Sequence, residues 1–542
     1  MLNNIYQHHH PVKNGTLPDI RTDLMQGRRP ETDRPTMLSL DQIIKKINSS
    51  TYKLDLSGVV GLFGGDNAVD ALETIHLYTG RRWAGWYNYP GAVTVAKRFG
   101  QMADSRLWDS IFPGPNESPA ITFNLAGKSG PDYSGSFSGT KLRTGYLGYL
   151  IAKECTDSPC KPLQLFKKDG TIGRKTGSSA AVTVILLPPR QHQRITRSLT
   201  RTSDASVTKH EPELIPIVPK SNPPLALWAI VPSLVSILAC VACFLSQDSL
   251  CASLILLGIV SSGLSSLALG TATLIIRVPV PSTASPVGDG LMLPEGGSII
   301  VLKGEEADVN IITKGEFELD YSTGILPHRK HHTIGISSLL LMTQFLVQLL
   351  LIPLSTFFGQ IMFLISFVAS GAYHLYVVSH EREKVHRELL FRELSVRMEK
   401  WIAGTRTQMA VFVCLILGDG HQYPLKSNPD AVLSRILPNE TVVWGYWRRK
   451  VLKELERFWT WDPALPYAPS IRAEPEDQTD IAEHFHFTEG DTRLLDDLIG
   501  DAWCVFNRYP KWRDGESVIG RERGDGTEEN LRAHLLPGGS LA

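Results

Sequence analysis

Gly127-Lys128-Ser129 has the ending of a phosphate-binding loop, a lysine for the charge and a hydroxyl beside it. Such a loop needs another glycine five positions before Gly127, so that backbone N–H groups can wrap the anion. Thr122 stands there, inside a stretch that reads as a strand, so the tripeptide reads as an ordinary turn. Gly58, Gly61, Gly64 and Gly65 precede a helix start at Asp66 or Asn67, where free N–H groups can hold a phosphate. Their spacing is not G-x-G-x-x-G, and a flexible turn accounts for them. Cys240 and Cys243 have metal-ligand spacing but lie inside an apolar run, where packing is the simpler role. His484 and His486 alternate beside Glu483 and would share a strand face. Two histidines and a carboxylate can hold zinc, but no third protein ligand type completes the set nearby. His328, His331 and His332 flank Arg329 and Lys330 and read as a positive anchor at lipid headgroups. None of these groups names a reaction, and no metal site or cofactor is expected.

The most specific pattern is Gly258, Ser262, Ser266 and Gly270, small residues recurring every fourth position in an apolar helix. That period puts them on one face and lets another helix approach closely. They are expected to be a helix-packing face. Gln344 and Gln348 share a helix face and are expected to bond a neighbouring helix. An ion-coupled pathway would place carboxylates or lysines in these helices, and the apolar runs carry none beyond Asp248.

The elements that hold these residues follow from how charge is distributed. The 542 residues carry 55 basic and 55 acidic side chains, so the basic balance of a nucleic-acid binder is absent. Charge is strongly segregated. Only Asp248 is charged between Pro223 and Ile276, and nothing is charged between Gly335 and Val378. A bilayer core needs about 20 apolar residues per helix. The pattern predicts spans at 225–245 and 250–276, joined by Ser246-Gln247-Asp248-Ser249, and at 335–354 and 357–378, broken at Pro353. Lys220, Arg277, Arg329, Lys330, Arg382, Lys384 and Arg387 flank the spans, while the hairpin connections lack Lys and Arg. Positive flanks stay in the cytosol. Both termini and residues 277–334 are therefore expected there, with Asn14, Asn48, Asn116 and Asn439 unglycosylated.

The expected fold is an α-helical multi-pass membrane protein, four transmembrane helices as two hairpins. Mixed α/β cytosolic N- and C-terminal domains and a small β-rich insert complete it. A polar N-terminus, 1–37, reads as disordered, without the apolar stretch of a signal peptide. Residues 38–190 read as a soluble α/β domain. It has helices from Leu38 to Ile47 and from Val69 to His76, strands at 119–125 and 180–187, and a hairpin turn at Asp169-Gly170. Residues 191–222 read as a basic Ser/Thr/Pro linker, 223–276 and 335–378 as the two hairpins, and 277–334 as an acidic three-stranded insert. Residues 379–510 read as a juxtamembrane helix followed by an α/β domain. That region has a strand at 409–417 and helices at 430–437, 442–461 and 492–506, and 511–542 reads as a disordered tail. Seven scattered cysteines do not form a disulfide framework and fit a reducing compartment.

Three functions are compatible with this organisation. The first is a membrane-anchored, non-enzymatic interaction or assembly protein, because most of the chain lies outside the spans. The second is an oligomeric channel or transporter, assembled through Gly258, Ser262, Ser266 and Gly270. The third is a membrane enzyme whose site draws on Asp419, His421 and His484 between cytosolic domains. The expected partners are the lipid bilayer and either a second protein or further copies of the chain, with no nucleic acid.

Overall fold

The computed structural model describes residues 66–88, 92–103, 105–115, 118–159, 161–162, 180–188, 212–282, 285–321, 330–418, 428–461, 467–471 and 488–515. All of them fall within one compact unit, Tyr52–Ala542. The helix expected at 38–47, the turn expected at Asp169-Gly170, the stretch 1–37 expected to be disordered and all but the first five residues of the tail expected at 511–542 lie outside the described residues.

Among the described residues, ten strands form two sheets. They are β1 (Asp132–Gly135), β2 (Lys141–Arg143), β3 (Lys161–Pro162), β4 (Ala180–Leu186), β5 (Glu213–Pro216), β6 (Thr273–Val278), β7 (Gly290–Leu293), β8 (Ile299–Lys303), β9 (Glu316–Asp320) and β10 (Arg397–Ala403). The larger sheet has the order β2-β1-β7-β8-β4-β10-β3 and the smaller one β5-β6-β9. β4 is central, parallel to β8 with Val184 opposite Val301, and antiparallel to β10 with Val182 opposite Trp401. These three strands come from before, between and after the two apolar stretches of the sequence. Segments that read in sequence as separate units therefore share one sheet.

Both faces of that sheet are buried, and the residues alternate as the pleat requires. Val182, Val184, Ile299 and Val301 face one core, while Ile185, Ile300 and Leu302 face the other.

The helices are α1 (Asp66–Glu73), α2 (Ala92–Met102), α3 (Arg106–Ile111), α4 (Pro119–Thr122), α5 (Tyr146–Asp157), α6 (Pro223–Trp228), α7 (Ile230–Leu245), α8 (Ser249–Leu269), α9 (Glu306–Lys314), α10 (Lys330–Leu351), α11 (Phe357–Val378), α12 (Arg382–Leu394), α13 (Arg406–Gly418), α14 (Pro429–Ile436), α15 (Val442–Trp459) and α16 (Glu489–Gly515). α13, α14, α15 and α16 cover one face of the sheet, with the Trp447 indole N–H donating to the Leu498 carbonyl at 2.9 Å. α5 and α12 meet on the other side. There Arg387 pairs with Glu154 at 3.0 Å and Asp157 at 2.6 Å, and the Tyr146 hydroxyl meets His386 Nδ1 at 3.0 Å.

Among the described residues, three helices are long and apolar enough to cross a membrane: Ser249–Leu269, His332–Leu354 and Phe357–Val378. The fourth apolar helix, α7, has 16 residues and follows the short α6, so the expected span 225–245 is two pieces. The expected span 250–276 ends early. α8 stops at Leu269, and Thr273–Val278 is a strand paired with β5 and β9. Its β-branched Thr273, Ile275 and Ile276 favour extended backbone. The second pair of helices breaks at Pro353 as expected, through a 3-10 turn at Ile352–Leu354.

Several short apolar runs take the other secondary structure. Met409–Leu417 is helix rather than strand, because α13 is buried on all sides and so loses the amphipathic signature. Val309–Thr313 lies in α9, where Glu306 and Asp308 in the first turn and Lys314 in the last complement the helix dipole. Residues 119–122 are a helical turn started by Pro119, not a strand. Glu213–Pro216, read as linker, is the edge strand β5. The juxtamembrane helix ends at Leu394 with Ser395 left-handed, which hands Met398 and Trp401 to β10. α16 continues to Gly515, five residues into the stretch read as tail. The expected three-stranded insert contributes β8 and β9 to different sheets, separated by α9.

Candidate functional site

The chemistry-bearing groups that the fold brings together lie among α7, α8, α10 and α11. These helices turn polar residues inward. Ser236, Gln344, Ser366 and Ser370 are fully buried, and Gln348, Gln360 and His374 nearly so. Their outward faces carry Leu238, Phe244, Leu245, Leu350, Leu354 and Ile365, all exposed.

At one end of the bundle, Asp248 links α8 to α11. Its carboxylate caps α8 by accepting from the Cys251 N–H at 3.0 Å. It also accepts from the Thr356 N–H at 2.9 Å and the Thr356 hydroxyl at 2.6 Å, at the start of α11. A buried carboxylate is tolerated because these donors replace water.

The centre is held by Asn88, which belongs to no helix. Its N–H donates to Ser236 Oγ of α7 at 3.1 Å, and its Nδ2 donates to Ser366 Oγ of α11 at 3.1 Å. Its Oδ1 accepts from Gln348 Nε2 of α10 at 3.2 Å. Gln348 also donates to the Leu254 carbonyl of α8 at 3.0 Å and accepts from Gln344 at 3.2 Å. One asparagine thus ties three helices directly and the fourth through Gln348. Nearer the other end, the Tyr87 hydroxyl meets His374 Nε2 at 2.8 Å. Buried Arg81 donates to the Ala84 carbonyl and lies 5.2 Å from the centre of the Tyr373 ring.

Gly258, Ser262, Ser266 and Gly270 face this same segment. A side chain at Gly258 would strike Asn88 Oδ1, and one at Gly270 would strike the Arg82 Cβ. Gly85 lies against Ser262 and Ser266, and the Ser262 hydroxyl donates to the Gly85 carbonyl at 2.7 Å. Trp86 lies over Gly263. The stripe does accept a close neighbour, but that neighbour is irregular chain at 82–88, where a second helix was expected. Gln348 does bond the neighbouring helix α8, as its position on the helix face predicted.

The remaining candidates do not converge here. Lys128 reaches Glu383 at 3.7 Å, and Gly127, with φ +48°, lies against the Tyr146 ring in a tight turn. Cys240 donates to the Ala252 carbonyl, and Cys243 is buried. His332 is exposed beside Trp108. Gly58, Gly61, Gly64, Gly65, His328, Asp419, His421, Glu483, His484 and His486 lie outside the described residues. Among the described residues no group of His, Cys, Asp or Glu could hold a metal ion.

Asn88, Tyr87 and Arg81 were missed in sequence. One signal pointed to them: residues 83–96 carry no charge and are flanked by Arg81-Arg82 and Lys97-Arg98.

Outside the bundle, burial pushes the His386 imidazole down to about 4, with nearby Arg382 adding to the effect and Glu383 opposing it. Burial likewise takes His76 down to about 4, against a hydrogen bond to the Ala272 backbone. Both rings are neutral near pH 7.

No family model, no curated protein and no solved structure matches this chain.

Proposed function

We propose that this is a multi-pass integral membrane protein, crossing the bilayer four times as two hairpins, that serves as a membrane-anchored interaction or assembly protein. The observation that carries the reading is the shared sheet. β4, β8 and β10 are neighbours, yet α7 and α8 lie between the first two in sequence, and α10 and α11 between the last two. Strands of one sheet occupy one compartment, so each apolar pair crosses an even number of times. That argument makes α7, short as it is, a span beside α8. A 16-residue helix covers about 24 Å and reaches further with α6 or with local thinning of the bilayer. The basic residues flanking the spans support a cytosolic sheet and cytosolic termini. The inward polar and outward apolar faces of the four helices support a lipid surround.

Lacing one soluble body through two hairpins makes a platform fixed at the membrane surface, which suits assembly better than solute movement. The stripe that an oligomeric channel would use for self-association is filled by the chain's own residues 82–88. Purification in mild detergent from native cells, with identification and mass of what remains bound, tests the reading. A stoichiometric second protein is expected. A homo-oligomer with no partner that passes solute in vesicles would overturn it. A glycosylation acceptor inserted between Gln247 and Asp248 tests the topology, and modification is expected in the non-cytosolic compartment.

A further inference from the structure

The segment that fills the bundle has a direction. Arg82 lies at Gly270, Gly85 at Ser266 and Ser262, Trp86 at Gly263, and Asn88 at Gly258. The chain runs alongside α8 from its C-terminal end toward its middle. After three intervening residues the chain returns as α2. The Ser338 hydroxyl of α10 donates to the Ala96 carbonyl, and further along the chain Trp108 lies against Gly335. Ser338 and then Gly335 lead back toward the start of α10. That start lies beside the end of α8, because Gln348 bonds Leu254 and Ser265 bonds Ser337, an antiparallel pairing. Residues 82–108 therefore leave and return at the same end of the bundle, the end next to the sheets.

We propose that residues 82–88 and 92–102 are the two limbs of a re-entrant membrane segment, entering from the cytosolic face and carrying Asn88 to the level of the bilayer middle. The proposal rests on the membrane reading above and moves part of the expected soluble N-terminal domain into the lipid. An uncharged stretch of 14 residues, 83–96, is too short to span and of the length that re-entrant segments have. It is flanked on both sides by basic pairs, Arg81-Arg82 and Lys97-Arg98, as a segment with both ends in the cytosol requires. The non-helical backbone at 84–88 is tolerated at that depth because it is enclosed by protein, with the Asn88 N–H and the Gly85 carbonyl bonded to neighbouring helices. Around the entry, Trp83, Leu107, Ile111 and Ile121 are exposed large apolar side chains. They form the surface that meets the acyl–headgroup boundary, where an aromatic such as Trp83 is favoured. Lys97, exposed on α2, reaches the headgroups along its flexible stem.

The test places nitroxide labels at Trp83→Cys and Leu107→Cys in the full chain in lipid nanodiscs. It compares collision rates with oxygen, which partitions into lipid, and with a water-soluble nickel chelate. Phe244→Cys is the lipid control and Val442→Cys, on exposed α15, the water control. Unsubstituted protein gives the background from native cysteines. Oxygen collisions exceeding nickel collisions several-fold at Trp83→Cys and Leu107→Cys, as at Phe244→Cys, are expected. Nickel-dominated collisions at both sites, with Phe244→Cys remaining lipid-like, would overturn the re-entrant segment alone. Nickel-dominated collisions at Phe244→Cys as well would overturn the membrane reading and this proposal with it.

Discussion

The two sides of this molecule bury opposite things. Between the large sheet and helices α13 to α16, the core is apolar and large: Trp447, Phe412, Phe506, Leu433 and Leu455 are essentially sealed. Among α7, α8, α10 and α11 the apolar core is small, and Asn88, Ser236, Gln344, Gln348, Ser366, Ser370 and Asp248 are sealed beside it. In the first region apolar groups escape water. In the second, on the membrane reading proposed above, polar groups escape an apolar surround, and the helices cohere through hydrogen bonds and close packing of small residues.

The contrast can be broken by substitution. The largest effect is expected from Trp447→Ala, which empties a sealed site and removes the indole bond to the Leu498 carbonyl. A loss of about 3–5 kcal/mol is expected, read as a lower thermal midpoint of the solubilised protein. An unchanged midpoint would mean that the sheet core is not what holds that domain.

Asp248→Ala removes three hydrogen bonds to a buried carboxylate and leaves the Thr356 and Cys251 N–H groups without their acceptor. Hydrogen bonds to charged groups contribute about 1.5–3 kcal/mol each, partly recovered by relaxation, so a loss of roughly 2–4 kcal/mol is expected. Asp248→Asn, which retains one acceptor oxygen, should recover part of it. Equal midpoints for the native chain and Asp248→Ala would remove hydrogen bonding as the cement of the bundle.

A third effect separates the regions by pH. His386 is neutral when folded and titrates normally when unfolded, so the unfolded chain binds the extra proton between pH 6.5 and about 4. Stability is fully present above pH 6.5, falls as the pH drops through that window, and has lost its full contribution below about 4. At pH 5 the expected loss from this residue is about 2 kcal/mol. His386→Phe should flatten the pH dependence of the midpoint, leaving the share due to His76. An equally steep profile would assign the acid sensitivity elsewhere.

The smallest effect is expected on the outward face. Phe244→Ala, exposed at the end of α7, should shift the midpoint in detergent by no more than about 0.5 kcal/mol. A large loss would mean that this face packs against protein, which would count against the lipid surround.

The apolar helices were legible because their signal is local. An uncharged run such as 335–378, cut once by Pro353, determines helix length and break without reference to any other segment. The small-residue stripe Gly258, Ser262, Ser266 and Gly270 was legible as a place of close approach for the same reason. Its neighbour was not, because nothing in the stripe distinguishes a long helix from the short 3-10 turn and irregular chain at 82–88, some 180 residues earlier. Short apolar runs such as 409–417 were ambiguous, since a helix buried on all sides has no period to betray it. Sequence by itself determined which segments avoid water and, at Pro353, where one of them breaks. Tertiary structure alone decided that β4, β8 and β10 share a sheet and that Asn88 sits among four helices, because both depend on contacts between residues far apart in the chain.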